Sequence, residues 1–171
     1  ASGGLSMDGL DALRPLLADK QALALGPGLG TDPETRALVK ALVTESTVPM
    51  VIDADGLNCL ADDPSLLKTK KSMAVLTPHP GEMARLCGKT TADIQSDRPG
   101  TATVFAQKYE VFLVLKGAQT LICFPDGRTF VNPTGNPGMA SGGMGDILTG
   151  MIAGFSAQGF SPGDAACAGV Y

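Results

Sequence analysis

The sequence predicts an α/β protein built on a mainly parallel sheet. Three observations predict it. Short apolar runs alternate with helical patterns along the chain, glycine and proline cluster between those runs, and Val111–Leu115 is apolar throughout, as suits a strand buried on both faces. Strand–helix–strand units of this kind close with right-handed crossovers. The 171 residues suffice for one domain, 1–171, and no repeat or linker divides them.

Each element has a local reason. Met7 to Asp19 sets Leu10, Leu13, Leu16 and Leu17 at helical spacing. Ala22 to Leu25 is a short strand running into Gly26-Pro27-Gly28-Leu29-Gly30. Thr31 or Asp32 caps the next helix, Pro33 suits its first turn, and Leu38, Leu42 and Val43 supply its apolar face. Val48 to Ile52 is a strand ending in Asp53-Ala54-Asp55-Gly56, and Met73 to Leu76 is a strand ending in Thr77-Pro78-His79-Pro80-Gly81-Glu82. Helices follow through Met83 and Leu86 and over about Asp97 to Tyr109. After the strand Val111–Leu115, Thr120–Phe124 and Arg128–Val131 flank Pro125-Asp126-Gly127, a hairpin signal. A helix from Gly143 to Gly159 carries Ile147, Leu148, Met151, Ile152 and Phe155, and Ser161-Pro162 opens another.

Composition narrows the function classes. Net charge is −4, and Lys68, Lys70 and Lys71 are the only tight basic group, read as solvated surface; with no tryptophan, nucleic acid is not an expected partner. No apolar run approaches bilayer length and no signal-peptide pattern opens the chain, so no membrane role and a cytoplasmic protein are expected. Cys59, Cys87, Cys123 and Cys167 stand far apart, and with a single histidine they suit a reducing compartment better than a zinc site.

The Gly/Pro/Asp-rich segments all follow strand C-termini, the edge on which open α/β sheets bind ligands. Asn132 to Asp146, NPTGNPGMASGGMGD, is the most informative of them. Its glycines let backbone amides approach an anion, and it opens into an apolar helix whose N-terminus carries partial positive charge. Asp146 in the first turn can accept a proton from an attacking hydroxyl, or simply cap the helix while the glycines make tight turns. Lys116, at a strand end beside Gly117, can reach a nucleotide phosphate or lie solvated. There is no GxxxxGK[ST] loop, so any nucleotide is held differently. Gly26 to Gly30 is a tight turn or a close approach to substrate, and His79, between two prolines in a rigid loop, is suited to substrate contact or to a structural or surface role. Asp53 and Asp55 are candidate ligands for hydrated Mg²⁺, with Asp55 equally suited to capping the short helix through Leu57 and Leu60.

These motifs together resemble the ADP- or ATP-dependent NAD(P)H-hydrate dehydratases, a branch of the ribokinase-like superfamily. The matching segments are LGPGLG at 25–30, VIDADGLN at 51–58, LTPHPGEMARL at 76–86, VLKGAQT at 114–120 and TGNPGMASGGMGDILTG at 134–150, in the family's order. The resemblance implies a ribokinase-like three-layer α/β/α fold with a terminal hairpin. It implies dehydration of hydrated NADH or NADPH by phosphorylating the ring hydroxyl and expelling phosphate, with ADP (or ATP) as donor and Mg²⁺ present. In that reading Asp146 is the catalytic base. Lys116, Gly117, Ala118, Gln119, Thr120, Gly142, Gly143 and Gly145 hold the nucleotide, and Gly28, Gly30, His79, Asn136 and Asp146 meet the hydrated dinucleotide. The GNPGMASGGMGD wording favours ADP.

Family members carry further strands before the position of Ala1 and helices after Tyr171. The resemblance therefore implies a domain incomplete at both ends, with an apolar sheet edge exposed. It also implies a homo-oligomer. The rival readings are a ribokinase-like kinase of a small alcohol, such as a vitamin precursor, and a non-catalytic nucleotide-binding module.

Overall fold

The computed structural model describes residues 5–171. A 3-10 turn at Met7–Gly9 leads into α1, Leu10–Leu17. Then come β1 (Leu23–Leu25), α2 (Pro33–Glu45), β2 (Met50–Ile52), α3 (Ala54–Leu60), β3 (Ala74–Leu76), α4 (Pro80–Cys87), α5 (Thr91–Ser96), α6 (Arg98–Tyr109) and β4 (Phe112–Leu115). The hairpin β5 (Leu121–Cys123) and β6 (Thr129–Val131), α7 (Met144–Ala157) and α8 (Pro162–Val170) complete the order. The six strands form one sheet in chain order; β1 to β4 run parallel, and β5 and β6 add to it antiparallel.

Side-chain alternation makes the three layers. Met50, Ile52, Leu76, Leu113 and Leu115 point into a core closed by α2 to α6, while Val51, Val75, Val114 and Ile122 point to the opposite face, under α7 and α8. Met50, Val51 and Ile52 are all buried, so β2 is central and apolar on both sides. β1 is one edge of the sheet and β6 the other; Ala24 of β1 is exposed.

The caps follow from residue chemistry. Asp32 accepts the Thr35 amide at the start of α2, with Pro33 in its first turn. His79 and Glu82 cap α4 reciprocally. Asp55 does not cap α3: Asp53 occupies that position without a side-chain cap, and Asp55 instead accepts the Gly30 amide at 2.9 Å. Lys70, expected to be solvated, donates to the Tyr109 carbonyl at 3.1 Å, and burial pushes its pKa down. The four cysteines are free thiols, and burial pushes each of their pKa values up.

Candidate functional site

The parallel strands end level with one another. Leu25, Ile52 and Leu76 are register partners, and the ladder continues one step further: Asp53 N–H donates to Leu25 at 3.0 Å and Thr77 N–H to Ile52 at 3.1 Å. Lys116 N–H then reaches Pro78 O at 2.9 Å. Four strand ends are thereby drawn into one row, carrying Gly26, Asp53, Thr77 and Lys116.

Alternation turns Asp53, two residues beyond Val51, toward α7. Its carboxylate is 2% exposed, and each oxygen has one partner: Oδ1 lies 2.7 Å from Lys116 Nζ, and Oδ2 accepts the Thr149 hydroxyl at 2.9 Å. Glu82, also buried, accepts His79 N–H at 2.7 Å and stands 3.8 Å from Lys116 Nζ. His79 Nδ1 accepts the Gly81 amide at 3.0 Å, and its Nε2 lies 3.3 Å from Glu82.

The other wall is made by α7 and the loop before it. Gly143, at φ +88, takes the N-cap position and offers no side-chain cap; the Met144 amide turns back to Ser141 O, and the Gly145 and Asp146 amides are left for an anion. Asp146 lies in that first turn, exposed, and among the described residues its carboxylate makes no hydrogen bond; it does not cap the helix. Between this turn and the β4–β5 connection lies a cavity of about 1000 Å³, within the size range of small-molecule sites. Lys116 to Thr120, Asn132 to Pro137 and Met139 to Ser141 line it, with Gly145, and His79 at one end. Ile147, Leu148, Met151, Val170 and Tyr171 give it an apolar floor. A smaller hollow of about 440 Å³ beside Val48 lies at the opposite edge of the sheet, where Arg14 is already paired with Glu45.

Of the residues singled out in the sequence, Lys116, Gly117, Ala118, Gln119, Thr120, Gly145, Asn136 and His79 meet around the cavity. Gly142, Gly143 and Asp146 stand exposed beside Gly145 at its lip. Gly28 and Gly30 lie outside it, beyond β1, at φ +71 and +77; the Gly30 amide is taken by Asp55. Asp53 and Asp55, the candidate Mg²⁺ ligands, have separate protein partners. Asp53 is engaged by Lys116 and Thr149, and Asp55 by Gly30 and Asn58. Among the described residues no group of three His, Cys, Asp or Glu side chains is placed to hold a metal.

Sequence reasoning passed over Glu82 and Thr149. The signal for Thr149 was its spacing: three residues after Asp146 it shares that residue's helix face. Glu82 was visible only as a capping-box acid, and its contact with Lys116 is tertiary. No helix of the described residues is long and apolar enough to cross a membrane.

Comparison with known proteins finds relatives over nearly the whole chain. A family profile described as NAD(P)H-hydrate dehydratase matches residues 5–171. The bifunctional NAD(P)H-hydrate repair enzyme Nnr of Moorella thermoacetica is 54% identical over 170 residues, 99% of this chain and 32% of that protein. The ADP/ATP-dependent NAD(P)H-hydrate dehydratase of Bacillus subtilis, co-crystallised with ATP/Mg²⁺, superposes with a TM-score of 0.77 at 37% identity, over 88% of this chain and 52% of its own. A ribokinase-like superfamily protein of Enterococcus faecalis V583 gives a TM-score of 0.80 at 28% identity, over 96% of this chain and 57% of its own. The fold is ribokinase-like. The chain spans about a third of the bifunctional relative and about half of the solved structures.

Proposed function

The chain belongs to the NAD(P)H-hydrate dehydratase family, and from that premise we propose that it serves ADP-dependent dehydration of hydrated NADH or NADPH, a repair of the nicotinamide cofactor. The observation that carries this reading is the juxtaposition of the Lys116–Thr120 turn and the uncapped first turn of α7 across one cavity, with the Asp146 carboxylate at its lip.

The geometry supports the roles that the resemblance implies. Lys116 and the α7 amides bring positive charge to a phosphate, and the Gly117–Thr120 turn supports the nucleotide. His79 and Asn136 face the cavity as contacts for the hydrated dinucleotide, with Gly28 and Gly30 at the far end of the same edge. Asp146 takes the proton of the ring hydroxyl as its oxygen forms a bond to the terminal phosphorus of ADP, and the bond to the bridging oxygen breaks, releasing AMP. The amides at Gly143 and Gly145 stabilise the charge on the transferring group. Hydroxide is a poor leaving group and phosphate a good one. The C–O bond then breaks with its electrons on phosphate, the ring nitrogen lone pair assists, and loss of a ring proton restores the double bond. Mg²⁺ would enter with the nucleotide and would offset the charge of its phosphates.

The test is the absorbance of reduced nicotinamide after supplying hydrated NADH, Mg²⁺ and either ADP or ATP. Recovery that requires ADP is expected. Recovery with ATP alone would replace the donor, and nucleotide consumption without recovery would support a small-alcohol kinase instead. A symmetric homo-oligomer belongs to the same proposal, since Phe130 and Val131 of the edge strand β6 are 45% and 53% exposed and a subunit contact would cover them. Light scattering should then give a whole multiple of the chain mass; a monomer at micromolar concentration would remove that part.

A further inference from the structure

We infer that Asp53 and Thr149 are positioning residues for Lys116, holding its ammonium against the first turn of α7 as the phosphate-binding cation of the nucleotide site. The inference rests on the nucleotide reading above. A Cβ placed on Gly145 would lie 3.4 Å from Lys116 Nζ and 3.4 Å from Asp53 Oδ2, so the ammonium packs against the second residue of α7. That end of a helix carries partial positive charge, and a cation there is repelled. A lysine at the end of a strand, left to itself, would swing its flexible stem into solvent.

Lys116 stays because a buried carboxylate holds it. Asp53 Oδ1 is 2.7 Å from Nζ, and the lysine side chain is only 20% exposed. Glu82 contributes from 3.8 Å, but its shorter contact is with the backbone of His79, where it caps α4. Asp53 has no such second duty. Although it sits at the N-cap of α3, its side chain caps nothing. Its remaining oxygen is fixed by Thr149, a buried hydroxyl on α7 itself. The contact therefore runs from helix to carboxylate to lysine, and places two like-signed elements, the ammonium and the amide turn, side by side. Such an arrangement is costly without an anion and complementary to one, the condition for a preorganised phosphate site.

ADP affinity, measured by titration calorimetry, tests this on the chain carrying Thr149→Val, which keeps the side-chain shape and removes the hydroxyl. Affinity is expected to fall roughly tenfold, the loss of one charge-assisted hydrogen bond, and Thr149→Ser is expected to recover most of it. Asp53→Asn, which keeps an acceptor for Thr149 and loses the charge facing Lys116, should weaken ADP to a similar degree; it serves if the valine variant does not fold. A residue with a merely structural role would lower the melting temperature and leave ADP affinity unmoved in every folded variant, and that result overturns the inference. Absence of ADP binding by the unsubstituted chain would instead sink the nucleotide reading, and this inference with it.

Discussion

Asparagine in place of Asp146 is expected to lower the turnover of hydrated NADH by about 10² to 10⁴-fold, the usual range for loss of a general base, while ADP affinity stays within about threefold. The amide has the shape of the carboxylate but cannot take the hydroxyl proton. Folding should hardly change. Asp146 is exposed in the first turn of α7 and makes no hydrogen bond among the described residues, so only its attraction to the helix N-terminus is lost, about 0.3–1 kcal/mol. Steady-state rates with calorimetric ADP titration separate the two quantities. Full turnover in the variant would move the base to another residue, and a weakened ADP affinity with unchanged rate constant would make Asp146 a binding group.

Gly26→Ala is expected to be the most damaging substitution in the Gly-Pro-Gly-Leu-Gly turn, costing on the order of 3–5 kcal/mol of a total stability of about 5–15 kcal/mol. An added Cβ would stand 1.8 Å from the Asp53 carbonyl oxygen and 2.9 Å from the Gly56 nitrogen, at φ +138. These are backbone atoms and cannot rotate away. The contact is reciprocal, since a Cβ on Gly56 would meet Leu25 O at 2.8 Å. The ends of β1 and β2 approach this closely because both positions lack a side chain, and the approach seats Asp53 beneath α7. Gly28→Ala is the control. It also has positive φ, +71, but meets nothing within 4 Å, so it should cost about 1 kcal/mol in backbone strain alone. Urea unfolding of both variants decides; equal losses would mean that the Gly26 contact contributes nothing.

Much of the fold was legible because its signals are local. The strands are apolar runs bounded by glycine and proline, and α2 and α8 announce themselves through Asp32 and Ser161 beside Pro33 and Pro162, whereas the His79 cap of α4 emerged only in the structure. Boundaries failed where backbone groups were already committed. β2 begins at Met50 and not at Val48, because Pro49 has no N–H to donate and the Val48 carbonyl accepts the hydroxyls of Ser46 and Ser72. Helix α5 went unread because its six residues bury Ile94 alone, too little for a periodic pattern, and it forms on the capping box of Thr90 and Asp93.

The sequence by itself determined the order of elements, the alternation that layers the sheet, and the edge at which the glycine-rich loops gather. Residue shape and hydrogen-bonding capacity act over a few positions, and those features need no more than that. Only the tertiary structure decided what the edge residues do to one another. Asp53 and Lys116 are 63 residues apart, and Asp53 and Thr149 are 96 apart. No local pattern marks Asp53 as the partner of a lysine and not the ligand of an ion. That choice was made when the parallel strand ends and the first turn of α7 were brought within one hydrogen bond of each other, where a buried carboxylate must find its counter-charge in protein.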